Sequence, residues 1–252
     1  MGIGDELMAA GQARQLQEMD LRLRKVQITD LFGEPRWHEL WAGNPSIAQP
    51  GERGDFLKLV NEHNARPYIE GKTPGHWIWK EFTPVPSRIP FTGAERDFGA
   101  KHADLVIVQP TIRAKSSPNR QWGTGRWKDV AQRAAAAGIQ LVQLGPAGTV
   151  PLCGARLIVT ASFSHACAIL SRARAYVGHE GGMHHAAAAL GIPAVVIFGA
   201  FISPQSTGYA SHRNIFTGQG LGCGMRGPCA CCSDAMARIS PSKVLSELQE
   251  LL

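Results

Sequence analysis

The chain has 252 residues, of which 44% are hydrophobic and 18% charged, so it can bury an ordinary core as one large or two small domains. No apolar run reaches the roughly 18–20 residues that span a bilayer, and the early charges leave no secretory signal core, which predicts a cytoplasmic protein with at most peripheral membrane contact. The formal charge of +6 favours acidic partners such as nucleotides, phosphorylated lipids or nucleic acid; it also fits a mildly basic soluble protein.

In chain order, GIGDELMAAGQARQL reads as a glycine turn at 2–4 entering a helix that ends near Arg24, with Asp5 at the helix start. Asp5 has two readings, a cap on the helix N-terminus and a general base facing a cleft. Val26-Gln27-Ile28 is a short strand. GNPSIAQPGERGD and FTPVPSRIPFTG are turn-rich, and between them DFLKLVNEHN has helical spacing. Trp37, Trp41, Trp77 and Trp79 serve either core packing or an aromatic platform for an acceptor.

From residue 104 the texture becomes regular. Strands are expected at 104–109, 139–144 and 157–159, helices at 127–137 and 164–173, and an amphipathic closing helix begins after Ser240-Pro241. The segment YVGHEGGMHHAAAALGIPAVVIFG, 176–199, reads as strand, glycine loop, helix, turn and strand. That order is a βαβ unit, and its crossover implies a parallel sheet. Alternating strands and helices are the doubly wound α/β pattern, in which ligands bind beyond the carboxyl ends of the strands.

Three segments fall at those ends. The loop PTIRAKSSPNRQWGTGRW carries Thr111, Arg113, Lys115 and Arg120, cations and hydroxyls that suit a diphosphate. Leu144-Gly145-Pro146 leaves room for a nucleotide base against the backbone. At Glu180, Gly181, Gly182 and Met183, glycines and the free N–H groups of a helix N-terminus favour phosphate, and Glu180 can accept from a sugar hydroxyl. His179, His184 and His185 flank Glu180 with spacings unlike a zinc-binding helix; one imidazole on a ligand phosphate or sugar is the reading preferred.

Cys153 and Cys167 sit singly in apolar surroundings and read as buried thiols. Cys223, Cys229, Cys231 and Cys232 cluster in CGMRGPCACC, where reduced structural thiols, a structural zinc and a disulfide remain alternatives. No catalytic metal or other cofactor is expected.

The motifs together resemble glycosyltransferase family 9, the heptosyltransferase-like enzymes. The resemblance rests on Gly2-Ile3-Gly4-Asp5-Glu6-Leu7-Met8, on Arg120-Gln121-Trp122 with Arg126-Trp127, on Glu180-Gly181-Gly182-Met183-His184-His185, on Gly191-Ile192-Pro193 and on Phe198-Gly199. It implies a GT-B-like α/β architecture: two Rossmann-like doubly wound domains with a cleft between them, the first reduced. The corresponding division is an acceptor-side domain at 1–100, a nucleotide-sugar domain at 101–239 and a C-terminal helix at 240–252. It implies inverting, metal-independent transfer of a sugar from a nucleoside-diphosphate sugar to an acceptor hydroxyl, with Asp5 as base. Thr111 and Arg120 would bind the diphosphate, Glu180 a donor hydroxyl, and the 181–183 backbone with His185 the phosphates. The chain differs from the family pattern in a short N-terminal half, in Met1 directly preceding the first turn where the family has an apolar strand (here absent or trimmed), and in Glu180 where the family has Asp. The acceptor therefore stays open among a surface glycan, a lipid-linked glycan and a modified base in nucleic acid. The competing readings are a non-catalytic nucleotide-sugar binding protein and a metal-binding interaction module built on the cysteines.

Overall fold

The structure is a computed structural model and describes residues 2–62, 65–112 and 116–252. Its centre is a six-stranded sheet formed by β5 (Val106–Gln109), β6 (Leu141–Gly145), β7 (Arg156–Val159), β8 (Ala175–His179), β9 (Ala194–Gly199) and β10 (Arg213–Phe216). All neighbours pair in parallel, in the order β10-β9-β8-β5-β6-β7. The strands are apolar almost throughout because both faces are covered. Alternate residues face opposite layers: Ile107, Tyr176, Val196 and Phe198 join the core beneath α4 (Phe163–Leu170) and α5 (Gly182–Ala189). Val106, Val108, Val177, Val195 and Ile197 join the other core, under α3 (Thr124–Ala136) and α8 (Pro241–Gln249). α8 places Val244 and Leu248 in that second core and packs on α3 and β9. The chain runs outward from β5 through β6 to β7, then returns to β8 on the other side of β5. A crevice opens at such a switch point, between the carboxyl ends of β5 and β8.

The first hundred residues are slighter. α1 (Ile3–Met19) lies against a two-stranded parallel sheet of β1 (Val26–Thr29) and β2 (Leu57–Val60), sharing a small core of Ala9, Ala10, Ala13, Val26, Ile28, Trp41 and Ile47. β3 (Ile69–Thr73) and β4 (His76–Trp79) form an antiparallel hairpin, and α2 (Gly93–Ala100) packs on α4. Three expectations change here. The helical spacing of DFLKLVNEHN yields a strand, because Leu57 and Leu59 alternate inward onto the small core and pair with β1; so short an apolar run satisfies either period. The opening glycines do not form a separate turn: Gly2 is the helix cap and Ile3 and Gly4 are already helical. α1 also stops at Met19 rather than near Arg24, since the Asp20 carboxylate captures the Arg24 N–H and guanidinium and turns the chain.

The remaining elements, α6 (Pro204–Thr207) and α7 (Ala230–Ala237), flank the carboxyl end of β9 and the cysteine segment. Trp41 and Trp79 are core residues as the packing reading holds, whereas Trp37 is 40% exposed. Cys167 is buried but Cys153 is exposed, contrary to expectation. No helix among the described residues is long and apolar enough to cross a membrane.

Candidate active site

The crevice floor is the N-terminus of α5. Gly181 caps it with φ +156° and ψ −166°, a backbone region essentially reserved for glycine, and thereby turns the first N–H groups of the helix toward the crevice. The Gly181 N–H itself is taken by His184 Nδ1 at 3.3 Å. His184 is fully buried, and burial followed by the neighbouring His185 pushes its pKa well below the usual imidazole range. His179 is likewise neutral: burial and then Arg120 push it down to about 3, and its Nε2 accepts the Trp122 N–H at 3.0 Å. Both imidazoles are thus structural. His184, His185 and Glu180 offer closely spaced ligand atoms; the Nδ1 of each histidine has a partner, which leaves its Nε2.

Glu180 follows β8 into the crevice, 9% exposed. Arg120, from the short turn Pro118–Arg120 after the basic loop, donates through Nη2 to both the Glu180 carboxylate and its backbone carbonyl. Burial alone would raise the Glu180 carboxyl; Arg120 and then His185 outweigh it and hold the group below the ordinary glutamate range. His185 Nε2 lies 3.8 Å from Glu180 Oε1, and its Nδ1 shares a 3.0 Å hydrogen bond with the Tyr209 hydroxyl, which fixes the ring. Arg120 and Glu180, assigned separately to the diphosphate and to a donor hydroxyl, are thus in direct contact with each other.

α1 and α5 approach end to end here. A Cβ on Gly4 would lie 2.8 Å from His185 Cδ2 and 3.6 Å from the Gly182 N, and one on Gly182 would lie 3.1 Å from Ile3 Cγ2. A side chain at Gly4 would run into the His185 ring and one at Gly182 would press on Ile3, so the glycines ease this approach, which sets the positive ends of two helices at one place. It also delivers Asp5 to the crevice. The Asp5 Oδ2 accepts the Gly2 N–H at 3.0 Å, so the capping reading holds, and the same carboxylate faces two further groups. Tyr68 donates its hydroxyl to Oδ1, and Arg66 lies 3.4 Å from Oδ2. Burial and then the Asp5 charge raise the Tyr68 pKa well above the usual phenol, keeping it a donor. Tyr68 and Arg66 had no signal in the sequence: they precede the hairpin by chain order and reach Asp5 only through the fold.

Of the other expected residues, Thr111 is exposed just beyond β5, its hydroxyl bonded by Gln109 Nε2 at 3.2 Å. Gly145 ends β6, packed against the Thr149 side chain, and Met183 is half-buried in the first turn of α5. Arg113 and Lys115 lie outside the described residues. Asn119, unremarked in the sequence, is a joint: its amide donates to the Met225 and Gly227 carbonyls at 2.6 and 2.7 Å and accepts the Cys229 N–H at 2.9 Å. It ties the Arg120 turn to the cysteine segment. There, all six cysteines of the chain are free thiols, and the sulfurs of Cys223, Cys229, Cys231 and Cys232 lie within 4.8 Å of one another.

The sequence model of glycosyltransferase family 9 (heptosyltransferase) matches residues 88–226, more than half of the chain. The chain belongs to glycosyltransferase family 9. The match covers the Arg120 loop, the α5 N-terminus and Glu180, and leaves Asp5 and three of the four clustered cysteines outside. No curated protein matches the chain. Among solved structures, the iron-containing dodecameric glycosyltransferase TibC from enterotoxigenic E. coli H10407 is similar at 17% identity and a TM-score of 0.50, over 67% of this chain and 50% of that one. TibC solved with ADP-D-beta-D-heptose is similar at 17% identity and a TM-score of 0.50, over 67% and 48% of the two chains. The E. coli ADP-heptose lps heptosyltransferase II gives 20% identity and a TM-score of 0.48, over 71% of this chain and 55% of that one. The chain thus spans about half the length of these structures, and its likeness to the TibC structures is one of fold.

Proposed function

We propose that this chain transfers a sugar from a nucleoside-diphosphate sugar to an acceptor hydroxyl, with inversion and without a catalytic metal. The observation that carries the reading is the juxtaposition of Asp5 with the α5 N-terminus, Arg120 and Glu180 at the sheet switch point. The diphosphate would lie on the N–H groups of 182 and 183 with Arg120 and Thr111, the Gly181 N–H being held by His184, and Glu180 and His185 would orient the donor sugar. The acceptor oxygen forms its bond to the anomeric carbon as the bond to the diphosphate oxygen breaks. Asp5 takes the acceptor proton, and the nucleoside diphosphate leaves with the bonding pair. Fixed N–H groups and a guanidinium stabilise that departing charge, the form of electrostatic assistance that contributes most in dry sites. Family membership and the ADP-heptose in the TibC complex favour an ADP-heptose-like donor.

The reading is tested with a panel of nucleoside-diphosphate sugars, following thermal stabilisation and diphosphate release. One donor should stabilise the chain and slowly release its diphosphate. Stabilisation without release, with glycan, lipid-linked glycan and nucleic-acid acceptors all supplied, would instead favour a non-catalytic binding protein. No response to any donor would end the donor-site assignment.

The cysteine cluster supports a separate, structural proposal. Four thiols within 4.8 Å suit a thiophilic ion such as zinc or iron, whose tetrahedral sulfur shell has metal–sulfur distances of about 2.3 Å in the zinc case. TibC is itself described as iron-containing. Purified under reducing conditions, the chain should carry about one ion per molecule, and Cys231→Ser should lose it. Metal analysis finding none, with all thiols titratable, would remove the site.

A further inference from the structure

We propose that Tyr209 is a positioning residue of the donor site: it fixes His185 with the ring proton on Nε2, so that the imidazole offers an N–H, not a lone pair, to an oxygen of the nucleoside-diphosphate sugar. This rests on the transferase reading above and adds to the same site a residue that meets no ligand itself.

A neutral imidazole has one proton and one lone pair on its two nitrogens, and the partner of one nitrogen decides the role of the other. The two histidines in the first turn of α5 are set by different partners. His184 Nδ1 accepts the Gly181 N–H at 3.3 Å, so its proton sits on Nε2. His185 Nδ1 meets the Tyr209 hydroxyl instead, at 3.0 Å.

Two observations give the direction of that bond. Tyr209 is buried, and burial followed by the Glu180 charge pushes its pKa above the usual phenol, so it keeps its proton. Among the described residues, His185 Nδ1 is the one hydrogen-bond partner of that hydroxyl. On the other side of the ring, Nε2 lies 3.8 Å from Glu180 Oε1. A carboxylate attracts an N–H at that place and repels a lone pair, and His185 does help to hold the Glu180 carboxyl below its ordinary range. A phenol donating to Nδ1 and a proton on Nε2 satisfy both sides at once.

The two rings have little room to turn. The Tyr209 carbonyl accepts the His212 N–H at 3.1 Å and the Asn214 Nδ2 at 3.0 Å, which anchors the chain after α6. The phenol ring meets the His184 and His185 rings edge-on, with centres 5.3 and 5.6 Å apart. His185 is itself buried and backs onto α1, where a Cβ on Gly4 would lie 2.8 Å from its Cδ2.

The 3.8 Å to Glu180 is too long for a hydrogen bond. Among the described residues, the Nε2–H has no acceptor within reach, and it stands beside Glu180 at the start of α5. An oxygen of the donor would complete it. Phosphate and sugar oxygens carry the same accepting lone pair. In the opposite tautomer a lone pair would face that oxygen and Glu180 alike.

The test uses the chain labelled with 15N-histidine at about pH 8, above the ordinary imidazole value of about 6.5. Ring protonation is read from two-bond 1H–15N correlations, with His185 assigned through His185→Gln. The parent should show Nε2 protonated and Nδ1 bare. Tyr209→Phe keeps the ring and loses the hydroxyl, so the share of His185 protonated at Nδ1 should rise. Unchanged His179 and His184 signals would show the crevice intact in that variant. Affinity is measured in parallel for whichever of ADP, UDP and GDP binds and for ADP-D-beta-D-heptose. Tyr209→Phe should weaken binding about tenfold, roughly one hydrogen bond. In a His185→Ala background the same change should cost under about twofold, because nothing is left to position. A loss already seen with the free diphosphate puts the Nε2–H on phosphate; a loss confined to the nucleotide sugar puts it on the sugar.

A parent protonated at Nδ1 would overturn the tautomer. Equal weakening with and without His185 would reduce Tyr209 to a packing residue, and unchanged affinity would remove it from the donor site. If none of the nucleotides binds, the donor reading falls and the ligand named here falls with it, while the ring spectrum still decides the tautomer.

Discussion

Asp5→Asn is expected to lower transfer by about 10²–10⁴-fold while leaving donor affinity within a factor of a few. The substitution keeps the side-chain shape and one oxygen, which can go on accepting the Gly2 N–H, while the amide N–H donates to the Tyr68 hydroxyl instead of accepting from it, so α1 keeps its cap and its place against α5. What it removes is the capacity to take the acceptor proton. Donor contacts are assigned to the α5 N-terminus, Arg120 and Glu180, none of which the change touches. Single-turnover transfer measured beside equilibrium donor binding separates the two effects. Turnover within about threefold of the parent would remove Asp5 from the reaction and leave it a helix cap. A parallel loss of donor affinity would mean that the contact between α1 and α5 had been disturbed instead.

The second large effect is expected from Arg120→Ala. Its guanidinium neutralises Glu180, whose side chain is only 10% exposed. Removing one partner of a buried pair leaves an uncompensated charge and costs about 3–5 kcal/mol. We therefore expect a clear fall in Tm at neutral pH together with loss of donor affinity. Adding Glu180→Gln should recover most of the stability but not the affinity, because the stranded charge is gone while the diphosphate contact is still missing. If the single variant is as stable as the parent, the pair is not the buried contact described here. Glu180 also sets a sign for the acid limb. Its folded pKa lies below that of an ordinary glutamate, so its contribution is present above the ordinary value and is lost as pH falls through the lower folded one. Glu180→Gln should flatten stability over that acid range, whereas a neutral-to-alkaline change in slope would assign the effect to another group.

Much of the second half was legible before any coordinates. Its strands are buried on both faces, so they read as plain apolar runs. Its glycines mark where helices begin and end, and the βαβ unit at 175–199 declares a parallel sheet. Glu180, Gly181 and Arg120 could be nominated because a switch-point crevice always lies at strand carboxyl ends, whatever the sequence between them.

The first half was less legible because its elements are short. LKLV satisfies a period of two as well as a helical face, and only pairing with β1 decided between them. Asp5 was visible as a candidate, but not its surroundings. Tyr68 and Arg66 are some sixty residues away in sequence, and their contact with Asp5 depends on where the hairpin docks. The same is true of Asn119 beside the cysteines. Local periodicity and turn chemistry act over a few residues, and so they specify elements and the places where helices start. Convergence of charges from distant segments is set by packing between elements, and that belongs to the tertiary structure alone.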